Sequence, residues 1–409
     1  MQSPSQPAPA KGALGIIFFV LLMDVIGLTI LIPVAPYIVA RYSHEALMVT
    51  LLTVIYAAAQ FVAAPALGRI SDRTGRRPVL LVCVLGSAVG YVIFGLGGAL
   101  WVLFLSRLID GVTGGNLSTA MAYIADVSRP EERAKNFVLV GMAYGLGFIA
   151  GPAIGGALGQ LGLSAPAYAA AILSLASAAL IYWRLPESLA PARRETARMA
   201  ARDFNPLVAI GGMARKPGLG RLLLASALFF VGFDGVNSIS ALFVARKFAV
   251  QPWQIGALFV ATGLALAVVQ AALVEKLVRR FGERAMALAG LAGSGSGGVL
   301  FAAAPAFWLL FPISLLQAGL TGFMWPTLGA LTAGRVSERE QGQLAGVNAA
   351  VAGLMAAIGP LWAGVVYDHV APGAPYWIAA LLLAGAGVVL LGAEKTAAPQ
   401  AYREAAAAD

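Results

Sequence analysis

The sequence predicts an all-α membrane protein of twelve transmembrane helices arranged as two pseudo-symmetric six-helix bundles, and three observations predict it. Of the 409 residues, 59% are hydrophobic and only 11% charged, whereas soluble domains run at about 45–50% apolar and about 25% charged, so too little polar surface exists to coat a globule in water. About twelve segments of roughly 20 mainly apolar residues, each long enough to cross a hydrocarbon core, follow one another between short polar or Gly/Pro breaks. The first six segments also resemble the second six at a nearly fixed offset, the mark of a duplicated helical unit.

Taken in order, Met1 to Ala10 is rich in Pro, Ser and Ala without a basic stretch, and the apolar run behind it is too long for a signal-peptide core. The first span, 13–38, is therefore expected to remain uncleaved, and it carries Asp24. The second, 46–68, contains Gln60, and the third, 76–98, holds Cys83; a lone cysteine permits no intramolecular disulfide and no cysteine-built metal site. The fourth, 100–123, contains Arg107, Asp110 and Asn116. The fifth, 135–158, presents Gly141, Gly145, Gly147, Gly151, Pro152, Gly155, Gly156 and, just past it, Gly159. Small residues about four apart let a neighbouring helix approach closely, and Pro152 allows a local bend; packing alone and a hinge that closes one entrance are both compatible with that run. The sixth span is 165–185.

The interval 186–218, with Pro191, Arg193, Arg194, Arg198, Arg202, Pro206, Arg215 and Lys216, is the one long polar stretch. It divides the chain into a tail (1–12), an N-terminal bundle (13–185), a linker (186–218), a C-terminal bundle (219–393) and a second tail (394–409). The seventh span, 219–244, carries Asp234 and Asn237; the eighth, 252–275, carries Gln270. The ninth, 284–304, includes GSGSGG from Gly293, which lies in an apolar run and lacks the lysine of a phosphate loop. The tenth, 306–330, contains Gln317, Met324 and Trp325; the eleventh, 343–366, contains Gly359-Pro360; the twelfth is 374–393.

The net charge of +9, from 28 basic and 19 acidic residues, marks sidedness. Alternate connections hold Arg69, Arg73, Arg76 and Arg77, then Arg129, Arg133 and Lys135, then the cluster from Arg184 to Arg221, then Lys276, Arg279, Arg280 and Arg284, then Arg335 and Arg339. The opposite connections offer only Arg41, Arg246 and Lys247. Because Lys and Arg are retained in the cytoplasm, both termini are expected on that side of a multi-pass cell (inner) membrane protein, and nucleic acid is not needed to explain the charge. His44 and His369, both expected in loops, are the only histidines, which removes most imidazole-based zinc and general-base arrangements. Neither a cofactor, a metal nor an enzymatic activity is expected.

The repeat is specific. Gly151-Pro152 pairs with Gly359-Pro360 at an offset of 208, Gly75 in RTGRR with Gly282 in RRFGER at 207, LIDGVTGG from Leu108 with LLQAGLTGF from Leu315 at 207, and Asp24 in FFVLLMD with Asp234 in FFVGFD at 210. Transporters that rock two halves about a midplane site are built this way. The two halves complete one another, so a monomer suffices.

These segments are similar to the major facilitator superfamily and, within it, to the drug/proton antiporter branch related to tetracycline efflux proteins. GRISDRTGRRPVLL from Gly68, SRLIDGVTGG from Ser106, IAGPAIGGALG from Ile149 and EQGQLAG from Glu340 carry the resemblance, with DVIGLTILIPVAP from Asp24 and YAAAQFVAAPALGRISDR from Tyr56. GRISDRTGRR is highly specific for the superfamily, and GPAIGG points more narrowly to its exporters. Read from the residues, Gly68 permits close packing at the end of the second span, Asp72 caps or pairs near the start of the next segment, and Arg73, Arg76 and Arg77 lie in the cytoplasmic interface; the resemblance implies that Asp72, Asp126 and Arg133 take part in a cytoplasmic gate, and plain topology signalling is the competing account of the same bases. Gln60 and Gln270 match polar positions of the tetracycline-efflux pattern. Three positions depart from it. Gly90 stands where those exporters carry an acidic residue just before the counterpart of Tyr91, LAGLAGSGSGG from Leu288 contains no acid, and Leu266 replaces a histidine. The resemblance thus carries the architecture without the groups a magnesium-bound tetracycline would want.

Membrane-depth charge is the sharpest functional signal, since an ionised group there costs several kcal/mol and faces a cavity or a partner. Asp24, Arg107, Asp110 and Asp234 are the candidates for proton coupling. Arg107 and Asp110, three residues apart on one helix face, either couple protons to substrate or neutralise one another structurally. Gln60, Asn116, Asn237, Gln270 and Gln317 are candidates to line a substrate cavity, with Met324 and Trp325 as apolar walls, although each such residue alone is as readily a packing group. The expected activity is export of a small lipophilic or amphipathic compound in exchange for protons. Uptake or facilitated diffusion of a sugar or other metabolite on the same fold stays open, and a membrane receptor or enzyme is the remote alternative.

Overall fold

The structure, a computed structural model, describes residues 12–190, 194, 206–337 and 340–392. Nearly all of both expected tails, Arg193, Arg198, Arg202 and the rest of the linker from 195 to 205, and Arg339 lie outside the described residues.

In lipid no water satisfies backbone N–H and C=O groups, so an apolar chain closes its hydrogen bonds within helices. The first half comprises α1 (Ala13–Thr29), α2 (Ala35–Val39), α3 (Ala46–Thr74), α4 (Arg76–Leu96), α5 (Leu100–Val112), α6 (Asn116–Val127), α7 (Arg133–Leu158) and α8 (Ala165–Arg184). After α9 (Pro206–Ala214) come α10 (Leu219–Phe248), α11 (Pro252–Ala272), α12 (Val274–Phe281), α13 (Glu283–Ala303), α14 (Leu310–Thr321), α15 (Met324–Ala333), α16 (Gln341–His369) and α17 (Ala374–Gly392). Among the described residues, ten helical stretches are long and apolar enough to cross a membrane. The remaining two of the twelve expected spans, 13–38 and 100–123, are broken into α1 with α2 and α5 with α6, breaks that the sequence reading did not foresee.

Each break has a local cause. Between α1 and α2, Pro33 supplies no N–H, and the chain tightens into turns such as Val34 N–H to the Leu31 carbonyl at 3.1 Å. Between α5 and α6, Gly114 and Gly115 have low helix propensity, and Gly114 N–H bonds the Gly111 carbonyl at 3.0 Å. The tenth span breaks at Gly322–Phe323 between α14 and α15, so the repeated segments LIDGVTGG and LLQAGLTGF interrupt their helices at matching places. Several helices also outrun their expected spans; α3 reaches Thr74 and α10 reaches Phe248, because hydropathy marks the lipid-immersed part while backbone hydrogen bonding continues beyond it. His369, expected in a loop, is the last residue of α16.

The interval expected to be wholly polar ends in the apolar helix α9. Met213 of this helix is buried with Leu219, Leu223, Leu344, Val347 and Val351, while Leu207 and Val208 are exposed.

The described residues cluster into two compact units, one drawn from Met1–His44, Ala58–Met199 and Gln251–Val260, the other from Glu45–Ala57, Ala200–Val250 and Ala261–Asp409. Within the first, α1 packs on α7 and α8, and α4 on α5, α6 and α8. Within the second, α10 packs on α16 and α17, and α13 on α14, α15 and α17, so the sequence repeat is also a repeat of helix pairings. The core of the first unit gathers Ile17, Leu21, Leu80, Val84, Tyr123 and Ile181; that of the second gathers Phe229, Leu291, Met324, Leu383 and Leu390.

Candidate functional site

In the first unit the SRLID stretch of α5 buries Ser106, Arg107 and Asp110. Arg107 and Asp110 are 5% and 2% exposed, so this is a charge pair taken wholly out of solvent. Arg107 Nη1 lies 3.2 Å from Asp110 Oδ2, but the approach is not aligned as a hydrogen bond, and Arg107 Nη2 and Asp110 Oδ2 both lack hydrogen-bond partners. The guanidinium is instead flanked by rings of α4, its carbon 5.1 Å from the Tyr91 centroid and 5.0 Å from that of Phe94, a desolvated cation–π arrangement. A Cβ on Gly90 would sit 3.0 Å from the Ser106 carbonyl oxygen and 3.2 Å from Asp110 Cβ. The position where tetracycline exporters carry an acid is thus closed by the contact of α4 with α5.

Asp24 of α1 is half-buried and accepts a hydrogen bond from Asn116 Nδ2 at 2.7 Å. Asn116, 2% exposed, opens α6 directly after the Gly114–Gly115 break, so the break aims this amide at the carboxylate. Gln60 Nε2 donates to the Gly114 carbonyl at 2.8 Å, satisfying a backbone group in the same interruption. Asp24, Asn116 and Gln60 therefore converge on one helix break of the first unit.

In the second unit Asp234 of α10 is half-buried. Neither a hydrogen bond nor an ion pair reaches its side chain among the described residues. Gly359 packs directly beside it, since a Cβ there would lie 3.1 Å from Asp234 Cβ. Trp362, one turn along α16 from Gly359, donates from Nε1 to the Val231 carbonyl at 3.1 Å. Trp325 packs edge-on against Phe229, Phe230 and Phe233, with centroids 5.5, 6.0 and 5.3 Å away, and remains 44% exposed. Met324 is fully buried in the core beside Gly290 and offers no open face. Asn237 and Gln270 are exposed, and Gln317 Nε2 donates to the Ser294 carbonyl at 3.3 Å.

At the junction of α3 and α4 the structure brings Asp72, Arg76 and Asp126 together. Arg76, 7% exposed, pairs with Asp72, with Asp126 Oδ2 at 3.1 Å and with Ser71 Oγ at 2.7 Å. Asp126 also accepts from Ser188 Oγ at 3.1 Å. Arg133 does not join them: it is exposed and makes no ion pair among the described residues. Arg73 lies in the last turn of α3, and Arg77 donates to the Tyr182 carbonyl. Gly75 adopts φ +114°, and a side chain there would also strike Glu187. The expectation that Gly68 permits close packing is corrected, since a Cβ on it would meet nothing within 4 Å; a small residue alone does not reveal whether a neighbour is present.

The glycine run of α7 divides in the same way. Gly141 and Gly145 face open space, whereas Gly151 and Gly155 abut Thr29 and the Ile30 carbonyl of α1. Gly156 abuts the start of α11, where a Cβ would lie 3.0 Å from the Pro252 carbonyl oxygen, and Pro152 presents its carbonyl to Gly256.

Two carboxylates not singled out in the sequence do structural work at helix N-termini. Glu187 Oε1 accepts the N–H of Arg76 at 2.8 Å and Oε2 that of Arg77 at 3.2 Å, and Asp368 does the same for α3 from the end of α16. Each is a solitary acid in a polar connection or helix end, and only the fold supplies its partner.

The family model described as Major Facilitator Superfamily matches residues 17–271 and again 222–408. Tetracycline resistance protein, class C, of Escherichia coli is 33% identical over 389 residues, covering 93% of this chain and 96% of that protein. Multidrug resistance protein 2 of Bacillus subtilis is 26% identical, covering 86% and 89%. Among solved structures, the human organic anion transporter MFSD10 superposes with a TM-score of 0.72 at 25% identity, covering 94% of this chain and 100% of that one. The duplicated helix pairings and these matches agree, and the chain belongs to the Major Facilitator Superfamily, in the branch resembling tetracycline efflux proteins.

Proposed function

We propose that this protein exports a small lipophilic or amphipathic compound from the cytoplasm in exchange for protons, by alternating access. The observation that carries the reading is the buried Arg107–Asp110 pair, an acid and a base at membrane depth with an open valence on each side chain. Asp110 can take a proton on its Oδ2, and Arg107 can donate its unused N–H to a substrate. When Asp110 is ionised, Arg107 neutralises it. When Asp110 takes a proton, the attraction within the pair is lost and Arg107 is left against the Tyr91 and Phe94 rings of α4.

Asp24 with Asn116 and the unpaired Asp234 provide two further proton-binding carboxylates. The relatives named for tetracycline and multidrug resistance support the drug-like substrate class. The distribution of Lys and Arg supports an orientation with both termini in the cytoplasm, which puts the Asp72–Arg76–Asp126 cluster at a cytoplasmic gate with Gly75, Arg73 and Arg77. Gly151, Pro152, Gly155 and Gly156 would then form the pivot on which α7 rolls against α1. The substrate contacts in this reading come from Gln60, Asn116, Asn237, Gln270, Gln317 and Trp325.

The test is the internal pH of sealed liposomes holding the purified protein while lipophilic cations, tetracyclines and sugars are added in turn. The expected result is proton movement driven by at least one drug-like compound and abolished by Asp110→Asn or Asp24→Asn. Substrate flux without proton movement, unchanged by both substitutions, would overturn antiport in favour of a facilitator.

A further inference from the structure

The seam between α13 and α17 is not filled. A Cβ on Gly295 would lie 3.5 Å from Ala380 Cα, and one on Gly387 would lie 3.8 Å from Leu288 Cδ2. The two helices thus meet through backbone and small groups, and a groove of about 530 Å³ follows their seam. Its walls are apolar except for Ser296, whose hydroxyl already donates to the Ala292 carbonyl at 2.7 Å. Ala292, Ala384, Val388 and Leu391 are exposed along it. The helices run antiparallel, since Gly295 meets Ala380 while Arg284 reaches Leu391. From Ala380 to Leu391 the groove is about 17 Å long at a rise of 1.5 Å per residue. The hydrocarbon core is about 30 Å thick, so the groove has the depth of one leaflet, and a spanning helix would outrun it.

One end of the groove is basic. Arg284 Nη2 donates to the Leu391 carbonyl, and Arg221 Nη1 donates to the Gly392 carbonyl at 2.6 Å. Two guanidiniums therefore converge on the last two residues of α17, beside the mouth of the groove. Each carries five N–H donors, and the hydrogen bonds described here use one nitrogen of each. In α12, which leads into α13, Val274, Leu277, Val278 and Phe281 share one face, with Lys276, Arg279 and Arg280 on the other. That is the pattern of a helix lying in the membrane interface. The acids in this stretch are Glu275, 3.9 Å from Arg279, and Glu283, so positive charge prevails. Capping the C-terminus of α17 explains one N–H of each arginine, but it does not explain an unfilled apolar groove that ends beside them.

We propose that the α13–α17 groove binds an acyl chain of an anionic phospholipid whose phosphate is held by Arg221 and Arg284. Hydrocarbon fits the walls, and a headgroup phosphate fits the basic mouth, where guanidinium and phosphate form charge-assisted hydrogen bonds. A second copy related by a twofold axis along the membrane normal would instead bring the same bases face to face. The inference needs only the membrane embedding of the chain and holds whether or not the protein exchanges protons.

The test titrates the delipidated, detergent-purified full chain with dioleoyl phosphatidylglycerol and, separately, with dioleoyl phosphatidylcholine, counting bound lipid by native mass spectrometry. The expected result is one phosphatidylglycerol bound at least tenfold tighter than phosphatidylcholine. Arg221→Gln with Arg284→Gln should remove most of that preference, and Arg221→Lys with Arg284→Lys should keep much of it. Ala384→Trp and Ala292→Trp, which fill the groove from opposite walls, should each weaken phosphatidylglycerol tenfold or more. Both alanines are exposed, and an unchanged thermal midpoint shows that a variant is folded. Equal affinity for the two lipids, or an unchanged preference in the folded double Gln variant, would overturn the site. Displacement of the lipid by glycerol 3-phosphate at equal concentration would also overturn it, because the groove would then contribute nothing. A dimer lost in Ala384→Trp while lipid binding is unchanged would assign the groove to a second copy instead.

Discussion

Asp368 caps the helix that begins at Ala46, 322 residues earlier: Oδ1 accepts the Ala46 N–H and Oδ2 the Leu47 N–H, each at 2.8 Å. One turn back on α16, Gly364 has no room for a side chain, because a Cβ there would lie 2.9 Å from Leu47 Cα and strike Thr50. The carboxylate thus satisfies two orphan donors at the N-terminus of α3, where negative charge also complements the helix dipole. Asp368→Ala is expected to cost about 1 kcal/mol, read as a lower thermal midpoint, with Asp368→Asn in between. A cysteine replacing Leu47 should react faster with a membrane-impermeant maleimide when Asp368 is alanine, and an unchanged rate would show that the cap does not hold these helix ends together.

The α7 glycines separate two kinds of position that look alike in sequence. Gly155→Val drives a branched side chain into the Ile30 carbonyl, and Gly151→Val into Thr29; each is expected to cost about 1–3 kcal/mol or more by overpacking. Gly141→Ala and Gly145→Ala enter open space and should gain up to about 1 kcal/mol from helix propensity. Yield of monodisperse protein and its thermal midpoint check the contrast. Equal damage at all four positions would mean that α7 packs through a different face.

Much of the architecture was legible because hydropathy is a local property: twelve apolar segments and their offset pairing need no tertiary information. The breaks at Thr113–Gly115 and Gly322–Phe323 were hidden because a hydropathy window averages across one or two glycines. The Arg107–Asp110 pair could be read directly, since both residues sit on one helix face. Asp24 and Asn116 were each visible as polar groups in apolar spans, but their hydrogen bond joins residues 92 apart and depends on how α6 restarts. Glu187 and Asp368 gave no local signal, because a single acid near a helix end looks like any solvated side chain. Arg133, unlike Arg76, is exposed and makes no ion pair among the described residues, and nothing in the spacing of the bases distinguishes the two.

Lys216 and Glu340 form an ion pair between the end of the linker and the start of α16. Glu340 also accepts from Ser337 Oγ at 2.9 Å and from Ser337 N–H at 3.2 Å. The Lys216 hydrogen bond, followed by those from Ser337, holds the Glu340 carboxyl down at about 2, below its ordinary value of 4.5. Since the folded-state value is the lower one, the contribution is fully present above about 4.5 and fades as pH falls toward 2. The groups are solvated, so the effect is small. The difference in thermal midpoint between the parent and Glu340→Gln should be constant near neutrality and shrink in acid; a difference that grows on acidification would contradict the pairing.

The Arg107–Asp110 pair makes a prediction that distinguishes coupling from scaffolding. Removing one partner leaves the other without compensation: Arg107→Met strands a carboxylate, which can shed its charge by taking a proton, whereas Asp110→Asn strands a guanidinium, which cannot but is still flanked by Tyr91 and Phe94. Each single substitution is therefore expected to destabilise, by up to about 3–5 kcal/mol. The double variant Arg107→Met with Asp110→Leu removes both charges, and replacing a buried pair by apolar groups is often neutral or stabilising, so thermal stability should return close to that of the parent. Proton movement in liposomes should not return, because the carboxyl that would carry the proton is gone. Recovery of both stability and proton movement in the double variant would make the pair a scaffold and shift coupling to Asp24 or Asp234. Recovery of stability alone assigns the pair to the proton path, and adding the Asp110→Leu single variant closes a double-mutant cycle that measures the interaction energy of the pair.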